Sequence, residues 1–373
     1  MAVGIWMVYA IIIAVIVAAQ PDRHTVTPEY QRASANWMGG EKGLYRKKNG
    51  YLYLPQFAML YTPYELLPDP VGEPLWRVTC LALLATALWA AASRISSNKP
   101  QVIFLAATIL VLPATFSSAR NGQVNLPLAA LFLFIALALA RERWWVAAGL
   151  LALTLVLKPI ALAPILLCAA LYPRLRLPVI VSVAVMAAAP FLHPKLAYAV
   201  REYLAFFTNL NQAGNPTGNT WCDFVGMLRV FGISVPSPVQ LAIRGLAGLA
   251  TLWLCRRALR SSDRLHGAIA VMLLSAVYLM LFNPRTETNS YVMLAAFVAL
   301  FAAFDGISLA RPSATAWLVL FMIILASENS GWPIFPFTNL WLKALATCVF
   351  AACLVPAILG RQSGYGFFLK PKS

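Results

Sequence analysis

Apolar runs of about 15–20 residues recur along the whole chain, and they limit its fold more than any other feature. Hydrophobic residues make up 61% of the 373 residues and charged residues only 11%, which excludes an ordinary soluble fold. We therefore expect an all-α, polytopic integral membrane protein. About twelve transmembrane helices are predicted, at residues 4–19, 75–92, 102–116, 124–140, 144–157, 160–171, 177–191, 239–255, 268–281, 290–304, 316–326 and 340–359.

Basic residues concentrate in alternate loops between these spans, and the net charge is +16. The positive-inside rule assigns such loops to the cytoplasm. We therefore predict a multi-pass protein of the cell membrane, meaning a bacterial inner or plasma membrane, with both termini in the cytoplasm. Because the basic segments lie beside membrane spans, nucleic acid is not an expected partner.

Two predicted external loops, 20–74 and 193–238, are long enough to fold within a single transmembrane domain that covers 1–373. The spacing over 29–38 predicts a short interfacial helix in the first loop. That loop also contains a group of tyrosines, which suits either an aromatic belt at headgroup depth or a surface for stacking on a sugar. These tyrosines are Tyr45, Tyr51, Tyr53, Tyr61 and Tyr64.

A polar turn and a lysine are predicted at the same membrane boundary, because two consecutive apolar spans separate them. A fixed cation beside amide donors suits a phosphate or a glycan. Two simpler interpretations remain open: Asn121-Gly122 is also a strong turn dipeptide, and Lys158 before a proline can reach water from a helix end. The candidate substrate-binding residues on this side are Asn121, Gln123, Asn125, Lys158, Arg120 and Arg285, with Tyr53 as a contact for the sugar.

The cysteines and histidines are scattered, and their spacing predicts no metal site. The sequence also contains no phosphate-binding loop, dinucleotide fingerprint or nucleophile elbow. We expect no cofactor. Most acidic residues fall in or near the predicted external loops, so a catalytic carboxylate is expected on that side.

Several stretches of the sequence resemble one enzyme family. They are NGQVN at 121–125, the AAGLLALTLVLKP segment that ends at Lys158-Pro159, and GNPTGNTWCDFVGMLRVFG at 214–232. The first loop adds a spaced pattern of a small residue, a glycine, Leu-Tyr and Tyr-Leu-Pro, at Ala33, Gly40, Leu44-Tyr45 and Tyr53-Leu54-Pro55. These stretches are similar to glycosyltransferase family 87, the polyprenol-phosphate-mannose-dependent mannosyltransferase-like group with the C-type membrane glycosyltransferase fold.

The resemblance implies an acidic catalytic base early in the first external loop. The family pattern places it near Thr25 or Val26, and neither residue is acidic. Asp22 and Glu29 flank that position by about three residues each. Glu287, in a short external corner, is a third candidate.

The function implied is transfer of a sugar, expected to be mannose, from a polyprenyl-phosphate donor. The acceptor is expected to be an extracytoplasmic glycolipid or glycan, and the lipid bilayer is the other partner. Two alternatives use the same cations without catalysis: a carrier or flippase for lipid-linked saccharides, and a catalytically silent binder. Cleavage of the donor distinguishes the transferase from both.

Overall fold

The described part of the chain is helical and contains no strand. The structure, a computed structural model, describes residues 1–20, 23–45, 50–214, 221–331 and 334–359. In chain order its α-helices are α1 (Ala2–Ala19), α2 (Thr27–Gly39), α3 (Pro55–Glu65), α4 (Asp69–Ile95), α5 (Pro100–Asn121), α6 (Asn125–Ala140), α7 (Trp144–Leu157), α8 (Leu162–Leu171), α9 (Arg176–Ala188), α10 (Leu196–Gly214), α11 (Phe224–Val230), α12 (Ser237–Ser261), α13 (Arg264–Phe282), α14 (Val292–Ser308), α15 (Pro312–Leu325), α16 (Ile334–Thr338) and α17 (Leu342–Ile358).

Within these residues, seven helical segments are long and apolar enough to cross a membrane. They are α1, α4, α5, α12, α13, the segment Pro173–Leu192 that contains α9, and the segment Thr288–Ser308 that contains α14. Five shorter apolar segments accompany them: α6, α7, Pro159–Leu171, α15 and α17. Each of the twelve segments overlaps one of the predicted spans. The all-α, polytopic membrane fold expected from the sequence is therefore confirmed.

The centre of the bundle consists of α5, α6, α13 and α14, which pack against one another. Most residues of α6 and α14 are buried. By contrast, α12 buries only Thr251, Cys255 and Ala258, and it exposes large apolar side chains along its length. The exposed apolar side chains between Val239 and Trp253 suit contact with lipid chains.

Outside the bundle, α2, α3 and α10 form a smaller layer at one end. Helix α2 covers the short helix predicted at 29–38, and the residue that follows it, Gly40, has a left-handed backbone. Helix α10 holds the end of α2 and the segment after it through backbone atoms: the Tyr198 hydroxyl donates to the carbonyls of Asn36 and Lys42, at 3.0 and 2.9 Å. The buried Glu202 accepts a 2.8 Å hydrogen bond from the Leu44 amide.

A buried ion pair fastens this layer to α4. Arg77, which is only 1% exposed, lies 3.2 Å from Glu73 one helical turn earlier. Glu73 accepts a 2.6 Å hydrogen bond from the Thr27 hydroxyl, and Arg77 donates to the Thr25 hydroxyl at 2.9 Å. Because each charge has further hydrogen-bond partners, the cost of burying the pair is partly offset.

The turn that ends α5 depends on Gly122, whose φ of +67° lies in the left-handed region. The Gln123 amide then bonds back to the carbonyl of Ser118, which closes the helix. The Trp76 indole donates to the Gly122 carbonyl at 2.8 Å, and α4 thereby holds the turn in place.

We predict that Gly122→Ala destabilises the protein. The added Cβ would lie 2.6 Å from Thr27 and 3.3 Å from the Arg77 guanidinium, in a backbone conformation that alanine adopts poorly. A loss of about 1–3 kcal/mol is expected, measured as a lower midpoint of thermal unfolding in detergent. Gly149→Ala in α7 is the matched control, because its Cβ meets nothing within 4 Å. An equal midpoint for both variants would contradict the prediction.

The orientation predicted from the basic loops is testable with reporter fusions. Alkaline phosphatase fused after Leu66 is expected to be active, because that position lies outside the cytoplasm in the predicted topology. The same enzyme fused after Glu142 is expected to be inactive, whereas green fluorescent protein should fluoresce only at Glu142. The reverse pattern would mean that the protein is inserted the other way.

Candidate functional site

Polar side chains from three segments of the chain meet at the end of the bundle where α6 begins. The Asn125 amide donates to Gln123 Oε1 at 2.7 Å and to Asn289 Oδ1 at 3.1 Å. Lys158 Nζ donates to Asn125 Oδ1 at 3.1 Å. Gln123 Nε2 in turn donates to Glu287 Oε2 at 3.1 Å. We call these five residues the polar network.

Helix geometry explains why the network forms here. Helices α6 and α7 pack side by side and are joined by a tight corner, so the start of α6 lies beside the end of α7. Asn125 is the first residue of α6. Lys158 ends α7 with an extended backbone, as expected for a residue before a proline. The predicted meeting of the polar turn and Lys158 on one side is therefore observed.

Glu287 lies between α13 and α14 on a segment whose backbone is held from neighbouring elements. The Cys222 amide donates to the Thr286 carbonyl at 2.7 Å, and the Ser118 hydroxyl donates to the Asn289 carbonyl at 3.0 Å. Glu287 itself is only partly buried. A carboxylate with a fixed backbone and an accessible side chain is suited to accept a proton.

Two tyrosines of the outer layer lie within electrostatic reach of this carboxylate. The hydroxyls of Tyr30 and Tyr53 share a 2.7 Å hydrogen bond, and the Tyr53 ring stacks on Phe57 at 4.6 Å between centroids. Burial raises the pKa of Tyr53, the hydrogen bond with Tyr30 opposes that rise, and the negative charge of Glu287 adds to it. The net rise keeps the phenol neutral, so it remains a hydrogen-bond donor.

Two cations interact electrostatically with Glu287. Burial lowers the pKa of Lys158, and the Glu287 carboxylate opposes that shift. Burial also lowers the pKa of Arg285, again opposed by Glu287. The Arg285 guanidinium lies over the Trp221 ring, 5.4 Å from its centroid. Two positive charges and one negative charge leave the site with an excess of positive charge, which favours an anion.

Six of the predicted site residues are thus brought together: Gln123, Asn125, Lys158, Arg285, Glu287 and Tyr53. Asn121 and Arg120 lie on the adjoining turn but make other contacts. The Asn121 carbonyl accepts a 3.0 Å hydrogen bond from the Val26 amide, and the Arg120 guanidinium donates to Gln20 at 3.1 Å. These contacts tie the turn to the first loop.

The contacts described for the other two candidate bases differ from those of Glu287. Glu29 forms an ion pair with Arg32 one turn along α2. Asp22 lies outside the described residues. Glu287 is therefore the one of the three with a described contact to the polar network.

Two residues of the site, Asn289 and Tyr30, are missed by the sequence reasoning. Asn289 follows Glu287 by two positions in NPRTETNSY, and an amide so close to a candidate carboxylate is the signal that could have indicated it. Tyr30 lies one residue after Glu29 in α2 and is fully buried, so its part in the site depends on packing that the sequence does not display.

Among the described residues, no group of three His, Cys, Asp or Glu side chains is arranged to hold a metal ion. A crevice of about 650 Å³ lies between α1, α4 and α5, where Trp6, Leu81 and Phe104 are among its mainly apolar lining residues. The lining of this crevice includes no member of the polar network.

The fold and the site define a multi-pass membrane protein with a cationic, amide-rich cluster and a carboxylate at one end of its bundle. The model of glycosyltransferase family 87 matches residues 51–284, more than half of the 373 residues. The chain belongs to this family, and it is a membrane glycosyltransferase. A comparison with curated proteins finds no match.

Replacing Asn125 should disrupt the polar network. In Asn125→Ala, three hydrogen bonds are lost and the buried partner amides are left with unpaired atoms, at a cost of about 1–3 kcal/mol for each such group. A lower midpoint of thermal unfolding in detergent is expected. Asn98→Ala, at an exposed site, is the control and should leave the midpoint unchanged. Unaltered unfolding of Asn125→Ala would show that the network contributes no stability.

Proposed function

We propose that the protein transfers a sugar, mannose in the first instance, from a polyprenyl-phosphate donor to an extracytoplasmic lipid- or glycan-linked acceptor. Glu287 is the general base in this proposal. The observation that carries it is the placement of Glu287 on the same polar network as Lys158, with 3.1 Å hydrogen bonds at both ends. Family membership supports the glycosyltransferase class, and the donor, the acceptor and the residue roles are our inference.

The cations supply the site for the donor phosphate. Lys158 has three N–H donors, and Asn125 accepts one of them in the described part of the chain. The remaining donors, together with the Arg285 guanidinium, suit a phosphodiester that becomes a phosphomonoester when the sugar leaves. Because negative charge grows on the phosphate as the bond breaks, these groups stabilise the transition state more than the ground state.

The aromatic layer supplies the site for the sugar. Tyr53 stacks on Phe57, and the Tyr30 and Tyr53 hydroxyls face each other within electrostatic reach of Glu287. Aromatic rings offer apolar area with a polar end, which matches the mixed faces of a pyranose. The buried amide of Gln123 can orient sugar hydroxyls while it remains bonded to Glu287.

The reaction is a substitution at the anomeric carbon. The acceptor hydroxyl oxygen forms a bond to that carbon while its proton passes to the Glu287 carboxylate. The bond between the anomeric carbon and the phosphate oxygen breaks, and its electron pair leaves with the polyprenyl phosphate. The proton on Glu287 is then released to solvent, which restores the carboxylate.

The decisive experiment is an assay of the purified protein in lipid nanodiscs with radiolabelled polyprenyl-phosphate mannose and a bacterial glycolipid extract. Label is expected in a new glycolipid. Glu287→Gln keeps a hydrogen-bonding side chain but removes the base, and kcat is expected to fall by about 10²–10⁴-fold. The donor KM should change little, because the phosphate ligands remain.

Glu29→Gln and Asp22→Asn are the comparison variants, and both are expected to keep most of the parental kcat. A large loss of kcat in one of them, with near-normal Glu287→Gln, would transfer the role of base to that residue. Intact donor would exclude this pairing of donor and acceptor. Intact donor with every polyprenyl-phosphate sugar, together with movement of label across the bilayer, would favour a carrier.

A further inference from the structure

A second buried ion pair links α17 to the segment that carries Glu287. Lys343 Nζ lies 2.6 Å from Glu328 Oε2, and these side chains are only 1% and 3% exposed. The same ammonium donates a 3.0 Å hydrogen bond to the carbonyl of Thr288, the residue directly after Glu287. The family match ends at residue 284, so it assigns no role to this pair.

Stability alone is a poor reason for this arrangement. Removing two charges from water costs several kcal/mol for each ion, and a buried pair is often no more stable than apolar residues of the same volume. The second oxygen of Glu328, Oε1, is buried and accepts no hydrogen bond within the described residues. A pair that leaves this oxygen unsatisfied is not optimised for folding.

The ammonium provides a strong, localised donor for one carbonyl. A hydrogen bond from a charged donor is roughly twice as strong as one between neutral groups. Lys343 also lies 5.8 Å from the centroid of the Tyr291 ring, at the other end of the same segment. One side chain of α17 therefore contacts this segment at two points.

The location of the carbonyl matters because Glu287 lies between anchored neighbours. Before it, the Thr286 carbonyl accepts from the Cys222 amide. After it, the Thr288 carbonyl accepts from Lys343. Loss of the second anchor would free the peptide between Thr288 and Asn289. That peptide lies in the turn where the Ser290 amide donates to the Glu287 carbonyl at 3.0 Å, so a shift of the turn would displace the carboxylate from Gln123.

We infer that Lys343, with Glu328 as its counter-ion, is a positioning residue for Glu287, and that α17 thereby takes part in the transfer reaction. The inference rests on the proposed role of Glu287 as general base. Lys343 acts through the Thr288 backbone and touches neither substrate.

The test uses a variant without either charge, Lys343→Met combined with Glu328→Leu. A single substitution would leave one charge buried and unpaired, which can unfold the protein by itself. The double variant is expected to keep the parental unfolding midpoint or to exceed it. Its kcat should fall by about 10- to 100-fold, because a displaced base is costly, while the donor KM changes by less than about twofold.

A cycle with Glu287→Gln shows whether the effect passes through Glu287. If it does, removing the ion pair in the Glu287→Gln background causes no further fall in kcat. An equal fall in both backgrounds, or parental kcat in the variant without the pair, would overturn the positioning role while leaving Glu287 as base. Parental kcat in Glu287→Gln itself would refute the proposed base, and the positioning role with it.

Two further variants separate positioning from general effects of charge. Lys343→Arg retains a donor for both Glu328 and the Thr288 carbonyl, so it should keep more of the parental kcat than the variant without the pair. Glu142→Gln with Arg264→Gln removes a partly exposed pair, 3.3 Å apart, at another corner of the protein. This control should leave kcat and KM unchanged, and a loss as large as that of the Lys343 pair would contradict the inference.

Discussion

The amide of Asn125 must be hydrogen-bonded, because it is fully buried where no solvent can take the place of a missing partner. Its partners come from three separate parts of the chain: the turn before α6, the end of α7 and the segment before α14. Satisfying one side chain therefore sets the relative positions of these three parts. This requirement fixes the positions of Lys158 and Glu287 relative to each other.

The outer layer of α2, α3 and α10 is attached to the bundle by other interactions than the polar network. Buried ion pairing on α4 and hydrogen bonds from α10 to backbone carbonyls hold α2 and the segment after it. The aromatic side chains of α2 and α3 then lie over the end of the bundle, with Tyr30 in edge-on contact with Trp76. Because backbone carbonyls are present whatever the side chain, this layer can change sequence at its exposed positions without losing its attachment.

The sequence was informative where chain order forces proximity. Two apolar runs joined by the Arg141-Glu142-Arg143 corner must return to the same side, so the contact between Asn125 and Lys158 follows from length and turn signals. The hydrogen bond between Gln123 and Glu287 joins residues that are 164 positions apart in the sequence. It depends on how α5, α13 and α14 pack, which composition does not specify. Likewise, Glu29 has a partner one helical turn away in Arg32, and only the fold shows that Glu287 instead reaches the network.

The lengths of α6 and α7 have a consequence for where the reaction occurs. With 16 and 14 residues, these helices are about 24 and 21 Å long, against about 30 Å for the hydrocarbon core. Helix α4 has 27 residues, and its first turns rise beside the Gly122 turn. The polar network therefore lies deeper along the bundle than the start of α4. The number of residues in α6 sets that depth, so inserting a single residue into α6 would shift Asn125 by about 1.5 Å along the helix axis and turn it by about 100°.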